Sequence, residues 1–210
     1  MRRTLAPILL ATLLAACSRE GQIGNGGIYT ARSACPQVAI PAGTGDITLF
    51  NPADSRSADA IDVSATITNL RGTCSEGEGI VASTATFDVV ASRRDAGPAR
   101  QVVLPTFNVA MQGGESVVAK RVGQVVLDFP AGALRTQTSA TATIRVDLAA
   151  VTLPPEVRAE LTRRRKPGDV DAAVDPLTIP SVRDAVARAT FEQLVGFQLS
   201  PDQLRYNVTR

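Results

Sequence analysis

Ile61-Asp62-Val63-Ser64-Ala65-Thr66-Ile67-Thr68 decides the fold of this chain. Apolar residues stand at every second position, with Asp, Ser and Thr between them. A period of two sends successive side chains to opposite faces, so the stretch predicts a strand with one buried and one wet face. The alternation returns twice. Val81, Ala85, Phe87, Val89 and Ala91 alternate with Ala82, Thr84, Thr86, Asp88 and Val90. Ala140, Ala142, Ile144, Val146 and Leu148 alternate with Thr141, Thr143, Arg145 and Asp147. Further strands are expected at Asp46–Phe50, 100–104, 106–112, 116–122 and 124–129. The breaks carry turn chemistry: Arg94-Asp95-Ala96-Gly97-Pro98, Gln112-Gly113-Gly114 and Pro130-Ala131-Gly132.

Seven or eight short strands at this spacing predict a mainly β chain, folded as an antiparallel β-sandwich over residues 35–152. In outline it resembles the immunoglobulin and fibronectin type III sandwiches. The chain has no tryptophan, so the Cys…Trp…Cys spacing of a true immunoglobulin domain is missing.

From Leu153 the pattern changes. Pro154-Pro155-Glu156 opens a helix whose proline needs no donor, and Glu156 and Glu160 lie towards its positive end. Arg163, Arg164, Arg165 and Lys166 close it, complementing the helix dipole, before Pro167-Gly168 stops it. The competing reading of that basic run is contact with anionic lipid headgroups. After an Asp- and Pro-rich linker over 168–180, Ser181 and Asp184 form a capping-box arrangement for a second helix over 181–197. Its apolar stripe is wide: Val182, Ala185, Val186 and Ala189 in one line, Ala187, Phe191, Leu194 and Val195 in another. Packed on the sandwich, Phe191, Leu194 and Phe197 are core; left exposed, they would dock another protein. Ser200-Pro201-Asp202 starts a last short turn ending near Tyr206. Residues 153–210 therefore read as a helical C-terminal extension.

The chain has no histidine. That excludes Ser-His-Asp and Cys-His catalysis and the usual catalytic zinc sites. Asp59 with Asp62, and Glu76 with Glu78, are the nearest approach to a carboxylate cluster, but they lack the dense alternate ligands of a calcium loop and read as solvated loops. Ser116 and Lys120 raise a Ser-Lys pair that nothing else supports, and a lysine on an edge strand has the separate use of discouraging aggregation. Asn207-Val208-Thr209 matches a glycosylation pattern by letters alone. No metal or cofactor is expected.

The first seventeen residues carry the clearest signal. Arg2 and Arg3 precede a short apolar run over 5–14, and Leu14-Ala15-Ala16-Cys17 ends it with small residues before a cysteine. The run is shorter than the ~20 residues a membrane span needs and has the layout of a secretory signal. The tetrapeptide resembles the lipobox of bacterial lipoproteins, and the arginine-rich chain as a whole resembles the many lipoproteins of GC-rich bacteria. The resemblance implies removal of residues 1–16 and attachment of lipid to Cys17. Ser18 in the next position implies the outer membrane. Residues 17–34, rich in Gly and polar side chains, then read as a flexible tether. Loss of Arg2 and Arg3 leaves 20 of the 22 basic residues against 20 acidic ones. The mature chain is neutral, and no basic stripe suggests nucleic acid. With Cys17 lipidated, Cys35 and Cys74 remain as an even pair in an oxidising compartment, which predicts a disulfide pinning the first segment to the loop after the strand that starts at Ile61.

The expected function is a lipid-anchored cell-envelope protein at the periplasmic face of the outer membrane, a non-enzymatic binding or structural module. Its partners would be the membrane, through its lipid, and another envelope protein. The alternative is a histidine-independent hydrolase or small-ligand carrier built on carboxylates.

Overall fold

The computed structural model describes residues 22–24, 27–29 and 33–209. The chain divides into two units, Met1–Arg32 with Arg164–Ala173, and Ser33–Arg163 with Val174–Arg210. Cys17, the apolar run and the lipobox lie outside the described residues.

In the first unit, β1 (Gln22–Gly24) and β2 (Gly27–Tyr29) pair antiparallel, with Ile23 opposite Ile28. This hairpin stands where an unstructured tether is expected. In the same unit the Lys166 N–H donates to the Asp169 carboxylate at 2.8 Å and the Asp169 N–H to the Lys166 carbonyl at 3.1 Å, forming a small turn.

The second unit is the mainly β sandwich that the alternation predicts. Its elements are β3 (Gln37–Ala39), β4 (Asp46–Phe50), β5 (Ile61–Gly77), β6 (Ile80–Arg93), β7 (Arg100–Gln112), β8 (Ser116–Phe129) and β9 (Arg135–Asp147). Then come α1 (Leu148–Val151), α2 (Pro155–Thr162), α3 (Pro180–Arg188), β10 (Phe191–Phe197) and α4 (Pro201–Thr209). One sheet has the order β4-β5-β6-β9, the other β3-β10-β7-β8, and every pairing is antiparallel except β3 with β10. The β7–β8 hairpin crosses to the second sheet, and β9 returns to pair with β6, a Greek-key connection.

Several strands run further than expected. β7 passes straight through Pro105, just where β10 ends; its carbonyl still accepts from the Gln198 N–H at 2.8 Å, and only the reciprocal bond is missing. β8 likewise passes through Gly123. β5 continues past Leu70 to Gly77 because a register shift between Thr68 and Arg71, with Asn69 at φ 53°, absorbs the break in alternation. Cys74 therefore lies on a strand, opposite Ser83 of β6, and not in a loop.

The C-terminal region departs most from expectation. Residues 181–197 do not form one helix: α3 stops at Arg188, and Phe191, Leu194 and Phe197 lie on β10, between β3 and β7. Ser181 is not the cap either, since Ile179 precedes the helix and Pro180 fills its first turn. Phe191, Gln193, Val195 and Phe197 alternate and all point inward, so the period of two wins over the period of 3.6. Gly196 would cost a helix about 1 kcal/mol. In the strand it is needed: a Cβ there would sit 2.5 Å from Thr44 Oγ1 and 2.7 Å from Phe107 Cζ. The last helix does start as expected, and Ser200 with Gln203 completes a reciprocal cap. Tyr206 of α4 meets Phe50 edge-on at 5.2 Å, and Asn207 donates to the carbonyls of Gly43 and Asp46, tying the helix to β4.

The main core gathers Ile47, Val63, Ala65, Ala85, Phe87, Val89, Leu104, Leu127, Phe129, Val195 and Phe197 from both sheets. A satellite core joins α2 to α3 through Leu153, Val157, Val182 and Ala185.

Candidate functional site

The cysteine pair is joined: Cys35 and Cys74 form a disulfide with Cα atoms 5.9 Å apart, closing 39 residues of sequence. It fastens the chain just before β3 to the far end of the long strand β5. Val38 of β3 then lies against Gly72, where a Cβ would come within 2.7 Å of it. A shallow groove of about 310 Å³ runs beside the bridge, lined by Gln37, Gly72, Thr73 and Ser83 among others. A second of about 490 Å³ lies where the β7–β8 turn meets α3, and its charges alternate in sign: Glu115, Arg183, Asp184 and Arg188.

The acidic residues that sequence singled out do not converge. Asp62 lies on β5 and takes a bidentate pair of hydrogen bonds from Arg100 at 2.6 and 2.8 Å. Those bonds hold its carboxyl below the usual range, against a smaller opposing effect of burial. Asp59, on the turn Ala58–Ala60, is held low by the Ser57 hydroxyl. Glu76 lies near the end of β5 and Glu78 in the tight turn after it, at φ 52°. Asp88, which sequence left unremarked, takes bonds from the Ser139 hydroxyl at 2.6 Å and the Asn69 amide at 2.9 Å, and its carboxyl is lowered by them. Among the described residues no three potential metal ligands cluster.

The Asp62–Arg100 pair makes acid stability predictable. A lowered folded pKa contributes stability that is complete above about pH 4, the unfolded value, and fades as pH falls through the folded value. Because the pair is partly open to water, it is worth at most about 1 kcal/mol. Asp62→Asn should therefore destabilise modestly at neutral pH, and the difference from wild type should vanish in urea titrations carried out at acid pH. A difference that persists unchanged at low pH would show that packing, not charge, is at stake.

Ser116 and Lys120 are not partners. Ser116 pairs with Gln112 at the hairpin end, and the Lys120 ammonium lies 5.9 Å above the Phe107 ring. Of the basic run, Arg163 caps α2 and pairs with Glu160, and Arg165 approaches Asp171 at 3.7 Å. Arg164, Arg165 and Lys166 follow the helix and do not form its last turn.

Phe191 and Phe197 are buried, so of the two readings available to them the core reading holds, while Leu194 is half-buried on the opposite side of β10. Between them lies a polar feature that sequence reasoning missed. Gln193 is fully buried in the sandwich. It accepts from the Ser83 hydroxyl at 2.8 Å and donates to Asn108 Oδ1 and the Ala142 carbonyl, linking the two sheets. Its position in Phe191-x-Gln193-x-Val195 was the available signal: a polar residue on an inward register must find partners. The network uses neutral groups in mutual satisfaction, an arrangement suited to fixing the register of two sheets.

The buried Arg93 is spent in a similar way. Its guanidinium donates to the carbonyls of Ala133, Pro98, Gly97 and Pro130 and lies 5.3 Å over Phe129, binding the loops on either side of the β7–β8 hairpin. Compared with protein-family models, curated proteins and solved structures, the chain matches none of them.

Proposed function

We propose that this chain is a lipid-anchored cell-envelope protein whose folded part is a non-enzymatic binding or structural module. Leu14-Ala15-Ala16-Cys17, behind Arg2-Arg3 and a short apolar run, carries the reading. Two acyl chains on one cysteine anchor stably, at about 0.8 kcal/mol per buried methylene, where one chain alone would exchange. The Cys35–Cys74 disulfide suits an oxidising compartment such as the envelope. Ser18 favours the outer membrane, with the sandwich on its periplasmic face. The non-enzymatic part draws on how the polar groups are used: Asp62 serves Arg100, Asp88 orders Ser139 and Asn69, and Gln193 and Arg93 saturate neighbours inside the fold.

Radiolabelled palmitate should enter the wild-type chain and not Cys17→Ser, which should accumulate as an unprocessed precursor or a soluble form. Equal labelling of the two would remove the anchor from the account.

A further inference from the structure

The second unit is assembled from two stretches of chain, 33–163 and 174–210, and the segment 164–173 joins them. Between the end of α2 at Thr162 and the turn Pro176–Thr178 the backbone forms neither helix nor strand. Irregular connections of this length are uncommon in compact domains and usually have a use of their own. This one opens with Arg163-Arg164-Arg165-Lys166, and most of its residues are exposed.

An endoprotease takes its substrate as extended chain, so exposed backbone outside helices and strands is cut first. A serine endoprotease with a carboxylate at the base of its S1 pocket takes arginine or lysine there. Among the described residues, Arg56 and Arg94 also lie outside helices and strands. The Arg56 guanidinium donates to the carbonyls of Ala53 and Ser55 and lies 5.0 Å over Phe50. The Arg94 N–H donates to the Asp62 carbonyl, which fixes its backbone to β5. Within the run, Arg163 caps α2 and pairs with Glu160, and the Arg165 side chain is only 13 % exposed beside Asp171. Arg164, exposed between them, is the best placed to enter such a pocket.

We propose that Arg163–Lys166 is a cleavage site for an arginine-directed serine endoprotease, and that the cut chain persists as a folded, two-piece protein. Water hydrolyses the amide after Arg164. Its hydroxyl goes to the Arg164 carbonyl carbon and its proton to the Arg165 nitrogen, leaving a carboxylate and an ammonium. Nothing covalent then joins the pieces, because Cys35 and Cys74 both lie in the first. The fold joins them. β10, from the second piece, lies between β3 and β7 of the first and buries Phe191, Gln193, Val195 and Phe197. Val182 and Ala185 of α3 share a core with Leu153 and Val157, and Asn207 donates to the carbonyls of Gly43 and Asp46. The proposal goes beyond membrane anchoring and does not depend on it.

The test is limited digestion of the purified full chain, in detergent, with trypsin. The first C-terminal fragment should begin at Arg164, Arg165 or Lys166, with a mass that cuts at Arg19 or Arg32 leave unchanged. Gel filtration without denaturant should keep that fragment with the rest of the chain, and urea should separate the two. The combined variant Arg163→Gln, Arg164→Gln and Arg165→Gln should melt as the wild type does and give no such fragment. A chain that stays whole between Ser33 and Thr209, or is first cut there outside the run, would overturn the proposal. So would a fragment that elutes apart from the rest without denaturant, or the same fragment released from the combined variant.

Discussion

Phe197→Ala should lower the unfolding free energy by about 3–5 kcal/mol, the range for removing a fully buried aromatic ring and leaving a cavity. Phe197 is wholly inaccessible, on an interior strand, and belongs to the same core as Phe129, Leu104 and Val195. Its backbone N–H also donates to the Thr44 carbonyl, so the site is pinned on both sides and cannot collapse easily. Urea denaturation should show the midpoint falling with little change in slope, the signature of lost stability without a change in the surface exposed. Were the last fifth of the chain an appended helix, the same substitution would cost about 0.5 kcal/mol or less, as exposed substitutions usually do.

Arg93→Met should cost about 2–4 kcal/mol, although the replacement keeps much of the side-chain volume. Four carbonyls share the one guanidinium; those of Gly97 and Pro130 keep the N–H groups of Gly132 and Ala133, so the loss falls chiefly on the carbonyls of Pro98 and Ala133. Buried acceptors left without donors cost more than the bond itself contributes. Arg93→Lys should recover only part of the loss, because one ammonium cannot match a planar fork of donors. Thermal melts should rank wild type above Arg93→Lys above Arg93→Met. A methionine variant as stable as the wild type would mean that water replaces the guanidinium without penalty.

The sandwich was legible because alternation is a local signal. Ile61 to Thr68, Val81 to Ala91 and Ala140 to Leu148 each carry it within a few residues, and all are strand except Leu148, which opens α1. The disulfide was legible because reading Cys17 as a lipid site leaves Cys35 and Cys74 as an even pair. β10 was not, because Val182 to Val195 fits a helical stripe as well as Phe191 to Phe197 fits a strand. Only the presence of a partly filled sheet, with β7 needing a neighbour, decides between them. The Gln193 and Arg93 networks join residues up to 110 positions apart, a pairing no window of sequence displays.

That Phe191–Phe197 is a strand of the sheet, and not the second half of a helix packed on it, is tested most directly by native-state hydrogen exchange. Amides of β10 should exchange as slowly as those of β6 and β7, through global unfolding alone. Protection of β10 no greater than that of exposed turns, with β6 and β7 still protected, would contradict the account.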